Sequence, residues 1–405
     1  MLLGLPRLIR ISPAGEIVKL ALRGERPYAV PGLAAAAACV DDWQQAGALA
    51  IRNRVEGWFM AALDAADLRR VVPADVWATM RESVRLSAMR ALTMAPALEE
   101  VLHELRKSNL PAMVLKGPAL AERFYADPAL RPYGDIDLLV PLAEHACLAE
   151  ILGRLDYVVD EEHGGTQAVQ SGTAEFPYET KYVGRNTGMV LDIHYDPFQL
   201  GLKPLDMEGV WQRAEPRRLY GQEVLTPGLN DLLLILAVHL HRHSFERLLW
   251  LKDVDLIVRR EGLSLDWPWL ADRAAAEGVS SSLATVLRLS RRLLATPLPA
   301  EASLIRRGWS TAMVHSLLWN ESYLLSDDLR QQRWRRAVQF VPWEGVRGVL
   351  PSLIFMERRL DKLRAIWTRL ARSPTRPFSP PTDHSPDRTS DAGSTSPSTH
   401  DSRRR

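Results

Sequence analysis

Two aspartates one residue apart, Asp135 and Asp137, interrupt an otherwise apolar run, Ile136, Leu138, Leu139 and Val140, that Pro141 closes. In extended chain alternate side chains point to opposite faces. A strand here therefore sets both carboxylates on one side and Ile136, Leu138 and Val140 on the other. Two carboxylates sharing a face repel unless something positive joins them. Mg²⁺ does so with oxygen ligands, keeping waters, one or two carboxylates and substrate phosphates. A solvated strand face writes the same letters, so the neighbouring segments carry the argument. Upstream, Ala112-Met113-Val114-Leu115 ends at Lys116-Gly117-Pro118 and helical spacing follows, with Pro118 suited to a first helical position. Backbone N–H groups at such a helix start, with a lysine beside them, can hold a phosphate. Downstream, Val190 to Tyr195 is a third strand candidate that turns Asp192 away from Leu191 and Ile193.

The rest of the chain frames this core. Residues 1–30 carry short apolar pieces broken by Pro13 and Gly15, and read as a small hairpin or an arm. Residues 33–106 have apolar positions at helical intervals, interrupted near Pro73 and kinked or broken at Pro96. Residues 142–155 read as helix, and the strands 179–183 and 189–195 flank a hairpin turn, Gly184-Arg185-Asn186-Thr187-Gly188. Beyond about residue 205 the pattern is helical to residue 372, except for a strand at Glu223-Val224-Leu225. From Ser373 on, Ser, Thr and Pro dominate with one large apolar residue, Phe378, a composition that stays disordered. The expected class is α+β, a small mixed β-sheet core flanked by N-terminal and C-terminal helical regions. Its segments are an arm and helices over 1–106, the α/β core over 107–227, a helical domain over 228–372 and a tail over 373–405.

Charge narrows the partners. The chain of 405 residues has 51 Lys plus Arg against 49 Asp plus Glu, a formal charge of +2. No field of one sign marks it as a dedicated nucleic-acid or membrane-surface binder. Two distant cysteines, Cys39 and Cys147, suggest neither a disulfide framework nor a zinc-cysteine site. The most apolar run, Leu232 to Leu240, is far shorter than the ~20 residues a membrane span needs. With no signal-peptide pattern at the N-terminus, the expected location is cytoplasmic.

The Leu115-Lys116-Gly117-Pro118-Ala119-Leu120 segment, Tyr125, the block Leu130-Arg131-Pro132-Tyr133-Gly134-Asp135-Ile136-Asp137-Leu138-Leu139-Val140 and the later Leu191-Asp192-Ile193-His194 together resemble the nucleotidyltransferase-fold proteins of the DNA polymerase beta type, in particular their poorly characterised bacterial branch. The similarity extends over roughly residues 40–345, including Leu248-Leu249-Trp250-Leu251-Lys252-Asp253-Val254. The resemblance implies that Asp135 and Asp137 hold Mg²⁺, two ions in all, that Asp192 supplies the third carboxylate, and that Gly117 lets a nucleoside triphosphate approach the backbone. Broader members of the superfamily place Ser after the glycine. Here Pro118 offers neither hydroxyl nor N–H, which leaves phosphate contacts to Lys116 or Arg131. Arg131 reads equally as a structural ion pair.

Other candidates weigh less. His239 and His243 share a helix face at i, i+4 around His241, a spacing open to zinc, but no HExxH glutamate accompanies them. A structural or acceptor-pocket role is the preferred reading. His194 lies on the strand face of Asp192. Asp253 and Asp255, two apart on a helix, do not meet. No Walker A, Rossmann or GxSxG pattern occurs. The leading expectation is a Mg²⁺-dependent transferase that moves a nucleoside monophosphate from a triphosphate to a hydroxyl of a small molecule or peptide, releasing pyrophosphate. The alternatives are a non-catalytic nucleotide-binding or protein-interaction module on the same fold, and a hydrolase using the histidine helix.

Overall fold

The computed structural model of the protein describes residues 11–28, 30–161, 166–171, 174–196, 207–243, 245–306, 316 and 319–325. The tail over 373–405 lies outside the described residues. The chain begins with helices α1 Pro13–Ala21, α2 Leu33–Ala38, α3 Trp43–Arg52, α4 Glu56–Ala65 and α5 Ala74–Lys107. Where the sequence predicts a hairpin or arm, α1 is a helix. Pro13 and Gly15, read as breakers, fall in its first turn, where a missing N–H costs nothing, and the Ser12 hydroxyl accepts from Gly15 N at 3.1 Å. Pro73 marks the start of α5, as predicted, but Pro96 does not break it. The helix is anchored on both sides of the proline. Val76, Trp77 and Met80 are buried at one end and Met94, Leu98, Val101, Leu102 and Leu105 at the other. Burying such side chains is worth about 1.5–3 kcal/mol each, which together exceeds the ~3 kcal/mol cost of an internal proline.

The strands follow: β1 Met113–Val114, then helix α6 Pro118–Phe124, β2 Ile136–Leu139, helix α7 His145–Arg154, β3 Tyr157–Val159, β4 Thr166–Ser171, β5 Ala174–Gly184 and β6 Val190–His194. A short helix α8 Met207–Gln212 precedes the hairpin β7 Glu215–Leu219 and β8 Gln222–Thr226. They form one mixed sheet in the order β3-β5-β6-β2-β1-β8-β7, with β4 on β5. β2 runs parallel to β6 and β1 to β8, while the remaining pairs are antiparallel. The sequence predicts part of β8 but not β7. That strand holds Pro216, Arg217 and Arg218 and lies at the sheet edge, where a proline and charges are tolerated. Its turn, Tyr220-Gly221, has positive φ at both residues, as tight hairpins require.

Helices α9 Leu229–Arg242, α10 Leu248–Glu261, α11 Trp267–Ala276 and α12 Ser280–Leu294 follow, with a single-turn helix, α13 Glu321–Leu324, beyond them. The fold is mixed, helices around a small sheet. Two apolar cores serve it. One packs Ile136, Leu138, Leu191 and Ile193 of the central strands against the second half of α5 and against α7. The other joins α1, α3 and α4 to α9, α10 and α12, so the helices of 1–106 and those after 228 bury against each other. Among the described residues no helix is long and apolar enough to cross a membrane.

Candidate active site

The parallel pairing of β2 with β6 sets Asp137 beside Asp192, and the antiparallel pairing of β6 with β5 sets Asp192 beside Lys181. Two residues along, Leu139, His194 and Glu179 form the next row on the same face. Because Ile136, Leu138, Leu191 and Ile193 are drawn into the core, Asp137, Asp192 and His194 share the opposite face. Two of the expected carboxylates thus come together from distant parts of the chain. Asp135 is exposed one residue ahead of β2.

The two paired aspartates live in different fields. Burial works against the charge of Asp137, yet the Lys116 ammonium at 2.8 Å and His194 Nε2 at 2.9 Å outweigh it and hold the carboxyl well below its ordinary range. Asp192 goes the other way. Burial, with the negative charges of Asp137 and Asp135, pushes its carboxyl up to about 7 against the pull of Lys181. Lys181 Nζ stands 3.4 Å from Asp192 Oδ1, a charge pairing without hydrogen-bond alignment, and that buried oxygen has no hydrogen-bond partner. A buried carboxylate oxygen with no donor costs free energy that a cation would recover.

Lys116 and Gly117 sit where β1 hands over to α6. Gly117 has φ 60° and ψ −122°, a backbone state that essentially only glycine adopts. A Cβ there would lie 3.5 Å from the Asp135 carbonyl, so the turn rests directly on the strand that carries the aspartates. α6 has only seven residues and Pro118 in its first turn, so its N-terminus offers little to an anion. Lys116 points inward. Its Nζ bridges Asp137 and His239 Nδ1, the latter at 3.0 Å.

Arg131, expected as a phosphate contact or a structural ion pair, is paired within the protein. Its guanidinium donates through Nε and Nη2 to the two oxygens of Asp253, both at 2.8 Å, and through Nη1 to the Gly117 carbonyl at 3.1 Å. Tyr125 donates to Asp253 as well, at 2.8 Å. Arg131 is the structural ion pair of the two readings, and it clamps the Lys116-Gly117 turn to α10. The lysine-aspartate motif of α10 is structural in the same way. Lys252 donates to Leu22 O, Gly24 O and Asp255, and lies 4.1 Å from the Trp58 ring.

The histidines of α9 divide. His241 is buried, 2.8 Å from Ser282 Oγ, between Phe245 and Trp319. His239 and His243 share a face as predicted, their rings 4.6 Å apart and both against Trp250. His239 reaches the carboxylate site through Lys116. Among the described residues no group of three or more His, Cys, Asp or Glu side chains is arranged to hold a metal ion.

Sequence reasoning missed Lys181 and Glu179. Their signal is the hairpin register: once Gly184 to Gly188 is taken as the turn, counting back places both on the face of Asp192 and His194. A cleft of about 420 Å³ lies elsewhere, between Arg123, Arg213, Glu215 and Asp231. Its arginines are ion-paired with its own acids, Arg213 with Asp231, and Arg123 and Arg217 both with Glu215.

A family model described as an uncharacterised nucleotidyltransferase matches residues 40–295, well over half of the chain. The protein belongs to that family, whose general chemistry is transfer of a nucleoside monophosphate group. A search of curated proteins gives no match.

Proposed function

We propose that the protein is a Mg²⁺-dependent nucleotidyltransferase that passes a nucleoside monophosphate from a nucleoside triphosphate to a hydroxyl of a small molecule or peptide. The observation that carries this reading is the pairing of Asp137 with Asp192 across parallel strands, with the buried Asp192 Oδ1 lacking a hydrogen-bond donor. The donor set is all oxygen, which suits a hard cation. Asp137 and Asp192 would hold it, with water and substrate phosphate completing its shell and Asp135 adding negative charge nearby. When bound, magnesium would neutralise phosphate charge and polarise the phosphoryl group.

The chain's own groups do the rest. Asp192 lies at about 7 with no cation beside it; a bound cation would hold it ionised, able to orient an acceptor hydroxyl or take its proton. His194 fixes the orientation of Asp137 through its 2.9 Å hydrogen bond. Lys116 stands in for a cation at Asp137 and, released from it, places a positive charge beside the Gly117 turn where phosphate would approach. The near balance of acids and bases favours a small acceptor over a long nucleic acid.

A second reading has support in the same ion pair. Lys116 already neutralises Asp137, and Pro118 removes a hydroxyl and an N–H from the turn, as in a nucleotide-binding module without turnover. Incubation with α-labelled nucleoside triphosphates and a host extract separates the two. Transfer of label by the wild type, lost by at least a hundredfold in Asp137→Asn and in Asp192→Asn, supports the enzyme. Nucleotide binding without transfer, unaffected by chelator, selects the binding module.

A further inference from the structure

Two guanidinium groups crowd the open side of Gly134, the residue before Asp135. A methyl group on Gly134 would lie 3.5 Å from Arg90 Nη1 and 3.7 Å from both Arg54 Nη1 and Nη2. They arrive from different elements, Arg90 from the middle of α5 and Arg54 from the turn that ends α3. A third arginine, Arg247, joins Arg54 from the start of α10. Asn53 holds those two segments together. Its Oδ1 accepts from Leu248 N at 3.0 Å, its carbonyl accepts from Leu249 N at 3.3 Å, and its own amide donates to Leu49 O at 2.8 Å. A fully buried asparagine thus holds the turn that carries Arg54 against the start of α10, which carries Arg247.

Among the described residues none of the three is ion-paired with a carboxylate, and Arg247 lies over the Trp250 ring at 5.0 Å. Burial and then the charge of Arg247 lower the pKa of Arg54; Asp135 opposes them, Arg90 adds to the lowering, and Glu56 opposes it least. Arg54 also holds φ 56°, a left-handed conformation better suited to Gly or Asn. Three like charges converging beside Gly134 make an arrangement whose repulsion an anion would relieve.

We propose that Arg54, Arg90 and Arg247 form a polyphosphate-binding cluster that takes the phosphate chain of the nucleoside triphosphate on the Asp135 side of the carboxylates. The identity of the polyphosphate rests on the nucleotidyl-transfer reading above; the cluster itself does not. Guanidinium forks pair with phosphate oxygens through two parallel hydrogen bonds, and three forks match a chain of several charges better than a single carboxylate. The cluster also supplies what Pro118 withholds, phosphate contacts that in the broader superfamily begin at a serine.

Calorimetric titration of inorganic tripolyphosphate and of a nucleoside triphosphate, each in chelator, tests this with Arg54→Gln, Arg90→Gln, Arg247→Gln and Arg90→Lys. Loss of each guanidinium should weaken tripolyphosphate binding roughly tenfold, as one charge-assisted contact does, and Arg90→Lys should recover part of it. The thermal midpoint of the free protein should hold or rise, because the substitutions remove repulsion rather than support. Unchanged tripolyphosphate affinity, or a fall in the free midpoint with no change in binding, overturns the cluster. Tripolyphosphate binding that depends on the arginines, with no nucleoside triphosphate bound even when Mg²⁺ is added, keeps the cluster and refutes the nucleotide as its source and with it the transfer reading. Mg²⁺-dependent nucleotide transfer indifferent to all three arginines does the reverse.

Discussion

Gly117 carries the most constrained backbone of the site, and its substitution separates strain from chemistry. At φ 60° and ψ −122° any Cβ is disfavoured, and Gly117→Ala is expected to cost about 1–3 kcal/mol of stability in chemical denaturation. Because the turn rests on Asp135 and positions Lys116, nucleotide binding should fall further than folding does. The neighbouring Arg131 behaves oppositely. Removing one member of its buried pair with Asp253 leaves an uncompensated charge, so Arg131→Met should destabilise by roughly 3–5 kcal/mol, while Arg131→Met combined with Asp253→Leu recovers part of the loss. If Arg131 instead contacts phosphate, its loss weakens binding with little change in stability. The two aspartates and the glycine turn were readable in the sequence because each is written in a local pattern: alternation, or a glycine at a strand end. The partner of Arg131 was not, since Asp253 lies on another helix and nothing local announces a pairing across the fold.

Among the elements, β6 decides whether the site exists, because its register alone chooses between Asp192 and its neighbours. A slip of one residue would turn Leu191 and Ile193 to the site and bury Asp192 and His194 in the core, an error that apolar burial forbids. α10 plays the matching role on the helical side. Lys252 ties it to the carbonyls of Leu22 and Gly24 just after α1, and Lys252→Met should lower stability by about 3–5 kcal/mol through the stranded Asp255, measured by urea denaturation. The strands of the site and α6 were legible from alternating burial and from Pro118. The sequence misread α1 because Pro13 and Gly15 look like breakers until their place in a first turn is known. It left a kink or a break at Pro96, and the break is absent because tertiary anchoring of α5 overrides local preference; it missed β7 because an edge strand with two arginines and a proline carries no alternation.

Taken together, the chain builds a sheet whose two central aspartates sit in opposite fields, Asp137 more than balanced by Lys116 and His194 and Asp192 under-balanced, and pH exposes this. The carboxyl of Asp192 lies at about 7 in the folded protein against 3.8 when unperturbed. Its folded value is the higher one, so its contribution to stability is full below about pH 4 and is lost as pH rises through about 7, a change on the order of 4 kcal/mol. Asp137 has the opposite sign, with stability present above its unfolded value and lost as pH falls. Thermal melts of chelator-treated wild type against Asp192→Asn should therefore diverge between pH 4 and 7, and Mg²⁺ should lift the wild type above pH 7 without lifting the variant. Parallel curves for the two proteins would show that the carboxyl titrates normally. The decisive experiment is a titration of Mn²⁺, a paramagnetic stand-in for Mg²⁺, followed by electron paramagnetic resonance in the presence of a non-hydrolysable nucleoside triphosphate analogue. One or two nucleotide-dependent sites, abolished by Asp137→Asn and by Asp192→Asn, are expected. Metal that binds equally well to both variants, or not at all to the wild type with nucleotide, would contradict the assignment of these strands as a nucleotidyl-transfer site.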